Sequence, residues 1–66
     1  MKKIYNFEVV NQRGAVVGKV LGEYLSEEEM VFMARGILNG VRLVKKFVTV
    51  NVYEEGEYKT CFTAKI

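Results

Sequence analysis

The chain has no histidine, no aspartate, no proline and one cysteine, Cys61, in 66 residues. Each absence closes a route. Without His, general acid–base chemistry would fall to Glu, Lys, Tyr or Cys. With neither His nor Asp, and one thiol, no obvious metal donor set exists, and no cofactor is expected. A lone cysteine makes no intrachain disulfide, so a thin core has no covalent staple. No apolar run is long enough to span a bilayer. The N-terminus, Met1-Lys2-Lys3-Ile4-Tyr5, begins like a secretory leader, but Asn6 and Glu8 interrupt the apolar stretch that a leader needs. With the single thiol, this predicts a reducing, cytoplasmic setting and no membrane partner.

What remains is a globular composition, half of it apolar. A chain this short makes one domain and buries only about 60% of its unfolded surface. Oligomerisation is then the common remedy. The formal charge is +2. It is unevenly spread: residues 1–25 and 41–66 are basic, and residues 26–40 are acidic. That polarity can steer a partner but is far from the dense basic stripe of a dedicated nucleic-acid binder.

One helix is predicted, over residues 26–40. Ser26 and Glu29 have the spacing of a capping box, and Leu25 and Met30 that of a hydrophobic staple. Glu27, Glu28 and Glu29 place negative charge at the positive end of the helix dipole. Asn39-Gly40 supplies a stop signal. Met30, Met33, Ala34 and Ile37 form the apolar face, flanked by Val31 and Leu38. Phe32 lies about 160° from Met30 around the helix, which makes it a candidate partner contact.

Four strands surround this helix. Residues 4–10 alternate, with Tyr5, Phe7 and Val9 on one side. Asn11-Gln12-Arg13-Gly14 suits a type I turn with a bulge at Gly14. The returning strand, 15–23, would then pair Val9 with Val17, Phe7 with Lys19 and Tyr5 with Leu21. This sets Tyr5, Phe7, Val9, Val17 and Leu21 against the helix and leaves Ile4, Val10, Val16 and Val20 on the far side. A one-residue slip would exchange those faces. Gly18 and Gly22 suggest a bulge or a close backbone approach. Residues 41–53 and 57–66 make a second hairpin closed at Glu54-Glu55-Gly56. A bulged turn at Gly56 pairs Val52 with Tyr58, Val50 with Thr60 and Val48 with Phe62. This gives one core face, which includes Val44, and one wet face.

The fold class is therefore α+β: strand, strand, helix, strand, strand, with one helix on one face of a four-stranded sheet. The first and last strands run in the same direction and can lie side by side, in the order 2-1-4-3. That arrangement resembles the β-grasp of ubiquitin and of immunoglobulin-binding domains, in element order and length. The resemblance implies a fold and no binding residues. In the alternative, the hairpins stay apart and the sheet is completed across a homodimer.

The far side of the sheet is the candidate site. Ile4, Val10, Val16 and Val20 from hairpin one adjoin Phe47 and Tyr53 from hairpin two. An apolar set of that kind marks a protein contact. The leading expectation is a non-enzymatic interaction module that binds itself or another protein there. Small chains of this style occur among bacteriophage and mobile-element accessory proteins that bind host factors. The alternative is single-stranded nucleic-acid binding, with Phe47 and Tyr53 stacking bases and Lys45, Lys59 and Lys65 holding phosphates. Cys61, the one potential nucleophile, is expected on the wet face beside Thr49 with no base next to it; a strand residue without chemical role is the expectation.

Overall fold

The computed structural model describes residues 2–41 and 47–65, without the side chains of Val41, Phe47, Val48, Ala64 and Lys65. It has the anticipated α+β architecture: β1 (Lys3–Asn11), β2 (Val16–Leu25), α1 (Glu27–Val41), β3 (Phe47–Glu54) and β4 (Glu57–Lys65). One four-stranded antiparallel sheet runs in the order β2-β1-β3-β4. The sheet is continuous within a single chain, so it needs no second copy to complete it.

The strand order corrects the β-grasp expectation of 2-1-4-3: β3, and not β4, lies beside β1. The physical reason is burial. Central strands have neighbours on both sides, and β1 and β3 carry the densest apolar faces. Phe7 pairs with Val52 and Val9 with Val50, and all four side chains are buried. The corresponding face of β4 offers Thr60 and a half-buried Phe62, which suit an edge. The β1–β3 ladder also extends into the turn, where the Glu55 N–H donates to the Ile4 carbonyl and the Ile4 N–H donates to Glu55 Oε2. Because β2 and β3 both run antiparallel to β1, they are parallel to each other, and α1 crosses over β1 to join them.

The helix begins as its capping box requires. The Ser26 N–H donates to Glu29 Oε1 at 2.8 Å, and the Glu29 N–H donates to Ser26 Oγ at 3.1 Å. The end differs. The helix continues through Gly40 to Val41, and Gly40 does not take a left-handed conformation. Residues 42–46, including the expected core residue Val44, lie outside the described residues. Met30, Ala34 and Leu38 are the buried line, four residues apart, with Val31, Met33 and Ile37 half-buried beside it. Leu38 is thus central and not a flank.

Both hairpins depart from the expected pairing, and each does so through a bulge. In hairpin one the turn is as anticipated. Asn11 Oδ1 accepts from the N–H groups of Arg13 and Ala15, the Gly14 N–H donates to the Asn11 carbonyl, and Gly14 has φ 85°. Val10 pairs with Val16 as expected, but Val17 is then an extra residue, and Val9 pairs with Gly18. The slip places Phe7 opposite Val20 and Asn6 opposite Leu21. Strand β2 is therefore turned over relative to the expectation. Gly18, Val20 and Gly22 face the helix, and Leu21 and Lys19 face away. Gly22 explains the preference. A Cβ there would lie 2.6 Å from Leu25 Cδ1 and 3.0 Å from Phe7 Cε1, so this position admits no side chain without repacking.

In hairpin two, Glu55 and Gly56 form a two-residue turn with φ 51° and 89°, the signature of a type I′ hairpin. It pairs Glu54 with Glu57 and Tyr53 with Tyr58. An irregularity at Lys59 then restores the separation of faces, with Val52 opposite Thr60 and Val50 opposite Phe62. The three-residue turn expected at Gly56 does not form, and Tyr58 moves from the core face to the open face.

Candidate functional site

The sheet face opposite α1 is built in rows that run across all four strands. One row is Leu21, Asn6, Tyr53 and Tyr58; the next is Lys19, Glu8, Asn51 and Cys61; the third is Val16, Val10, Thr49 and Thr63. The first row joins Leu21 to two tyrosines across Asn6, with the Tyr53 and Tyr58 rings edge to face at 5.8 Å. The second is polar. The third pairs two valines with two threonines whose hydroxyls lie 3.4 Å apart.

Large apolar side chains stand open on this surface. Leu21 is 54% exposed, Tyr58 59%, Val16 47% and Val17 51%. Ile4, Val10 and Tyr53 are half-buried beside them. Of the residues expected to form the docking set, Ile4, Val10, Val16 and Tyr53 are therefore brought together here. Val20 is a correction: the bulge at Val17 turns it to the helix side, where it packs on the core. Leu21, Val17 and Tyr58 take its place. Phe32 belongs to a different surface. It sits on the outer side of α1, 82% exposed. For Phe47 only the strand position is described, opposite Lys65 at the end of β3.

Of the cationic set expected for nucleic acid, the described residues place the side chain of Lys59. Lys45 lies outside the described residues, and so does the side chain of Lys65. Lys59 is a correction, because its Nζ lies 3.1 Å from Glu54 Oε1 and not beside Tyr53. Lys3 meets the same carboxylate at 2.9 Å, and the Tyr5 hydroxyl donates to Glu54 Oε1 at 3.3 Å. Hydrogen bonds from Lys3, then Lys59, hold the Glu54 carboxyl down at about 2. Both lysines are raised in turn, chiefly by their hydrogen bonds to Glu54. These groups clamp the ends of β1, β3 and β4. Of the described lysines, Lys19 joins the open rows, directly opposite Glu8. A hollow of about 220 Å³ lies over this part of the face, lined by Asn6, Glu8, Lys19 and Tyr53 among others.

The turn carboxylates have local work. Glu54 is held by two lysines, and Glu55 caps the Ile4 N–H. Among the described residues no three acidic or thiol groups stand close enough to hold a metal ion. Cys61 is exposed on the open face, opposite Asn51 and not opposite Thr49 as expected. The Glu8 charge raises the pKa of the Tyr53 phenol, with partial desolvation assisting. No helix among the described residues is long and apolar enough to cross a membrane. Comparison of the chain with family models, with curated proteins and with solved structures finds no match.

Leu21, Val17 and Tyr58 escaped sequence reasoning for one reason. Unbroken alternation along β2 and β4 puts them on other faces, and one bulge in each strand inverts it. A signal was present in β2. Gly18 and Gly22 flank Val20 at every second position, which makes a thin side suited to lie under a closely packed helix.

Proposed function

We propose that this protein is a non-enzymatic interaction module whose open sheet face docks on a partner protein. The observation that carries the reading is the orientation of β2. That strand turns its glycines toward the helix and presents Val16, Val17 and Leu21 to solvent, with Leu21 in one row with Tyr53 and Tyr58 and Val16 beside Val10. A two-layer chain with a small core gains from burying such side chains, at about 25 cal/mol per Å² of apolar surface. Among the described residues, exposed apolar and tyrosine side chains around the opposed Lys19 and Glu8 fit a protein surface better than a polyanion. Proteins of this kind serve as accessory factors, including those of bacteriophages and mobile elements.

Photo-crosslinking in the source cell tests it. A photoreactive residue at Leu21 or Tyr58 is expected to capture one discrete protein, while the same group at Gln12, on the turn, captures none. Equal capture from all three positions, or from none, removes the open face as the docking surface. A product of twice the chain mass from Leu21 would identify the partner as a second copy.

A further inference from the structure

We propose that α1 carries a second, self-complementary surface through which two copies of this chain associate with their helices antiparallel. The outer face of the helix holds a knob and a hole one turn apart. Phe32 is the knob, 82% exposed on a helix whose apolar side is already buried elsewhere. Gly36 is the hole. Among the described residues nothing lies within 4 Å of the position its Cβ would occupy, so no contact there requires a glycine. A glycine inside a helix costs about 1 kcal/mol relative to alanine, and Gly36 lies within α1 with no turn to justify it.

A groove of about 580 Å³ runs along this face from Leu25 to Gly36, lined by Leu25, Glu28, Glu29, Phe32, Met33 and Gly36. A two-fold axis passing beside residue 34 sets Phe32 of each copy over Gly36 of the other, between the second copy's Phe32 and Met33. Isologous contacts have this reciprocity, in which residue i meets j and j meets i. Charge selects the direction. Glu27, Glu28 and Glu29 crowd the first turn, and Arg35 lies on the outer face nearer the other end. Parallel helices would set six carboxylates side by side. The antiparallel pair separates them, opposes the two helix dipoles, and brings Arg35 to the flank that carries Glu28 of the second copy. One helix pair buries less than the roughly 1,200 Å² of a standard interface, so the association is weak and reversible. Both open sheet faces remain outward, which makes the pair bivalent toward a partner.

Sedimentation equilibrium of the purified chain tests the proposal, from about 10 µM to 1 mM, the range of a small transient interface. The expected result is a rise from the 7.6 kDa monomer toward twice that mass. Phe32→Ala and Gly36→Leu should each abolish the rise, the second by filling the hole. Gly36→Leu should also melt no lower than the wild type, because the site has open space and gains a helix-favouring residue. Leu21→Lys should leave the rise unchanged. A monomer throughout the range, or a Gly36→Leu protein that still dimerises, overturns the proposal. So does a dimer lost on Leu21→Lys, which would instead place self-association on the sheet face. The crosslinking from Leu21 and Tyr58 reports on the sheet face independently of this outcome.

Discussion

The two hairpins solve the same problem from opposite ends. Hairpin one has the turn that its sequence announces, and its error relative to simple alternation comes afterwards, at Val17. Hairpin two has a tighter turn than its sequence suggests, and the correction comes afterwards, at Lys59. In both, the turn decides only the first pair or two. Beyond that, register is decided by which side chains must be buried, and a bulge is the means of adjustment. The difference lies in the product. In hairpin two the adjustment recovers an apolar inner face of Val50, Val52 and Phe62. In hairpin one it sends glycines inward and Leu21 outward.

Five substitutions break or sharpen this contrast. The largest effect is expected at the shared centre. Phe7→Ala removes a ring with no exposed surface and should cost about 3–5 kcal/mol, enough to leave so small a domain largely unfolded in a urea titration. Next is Gly22→Val, which puts methyl groups against Leu25 and Phe7. The loss should be about 1–3 kcal/mol. The same substitution at Gly18, where the nearest atom is 4.0 Å away, should be much milder by thermal melt. If the two are equal, the close approach at Gly22 is not what turns β2 over.

Hairpin two is stapled by charge, and its contribution depends on acidity. Glu54 has a pKa of about 2, below its ordinary 4.5, so its ion pairs contribute fully above that ordinary value. Their contribution declines as pH falls from about 4.5 toward 2. Thermal melts across this interval should slope downward toward acid, and Glu54→Gln should flatten the slope while lowering stability at neutral pH. The smallest effect belongs to the irregular end of hairpin one. Tyr24 is exposed with φ 57°, a conformation unfavourable for a side chain. Tyr24→Gly should therefore raise the denaturation midpoint, by an amount worth up to about 1 kcal/mol.

Much of this was legible beforehand. The helix start follows from Ser26 and Glu29, the first turn from Asn11 and Gly14, and the inner face of β1 from Tyr5, Phe7 and Val9, because each rests on contacts a few residues apart or on an unbroken period. What escaped depends on pairings between distant segments. Whether β3 or β4 lies beside β1 is decided by comparing whole strand faces, and nothing local to Phe7 reveals it. The open face was legible as a surface but not in its membership. Ile4, Val10, Val16 and Tyr53 could be placed there, whereas Val20 and Leu21 exchange roles through one unpaired residue.

The place of β1 in the sheet has a consequence for synthesis. Lys3–Asn11 leaves the ribosome before Phe47–Glu54, the strand that flanks it on one side. Until those later residues emerge, the nascent β1–β2 hairpin displays the bare backbone of what will become an interior strand, with Phe7 and Val9 uncovered along it. The interval is a window for chaperone capture or for pairing with another nascent chain, and it closes when Val50 and Val52 arrive.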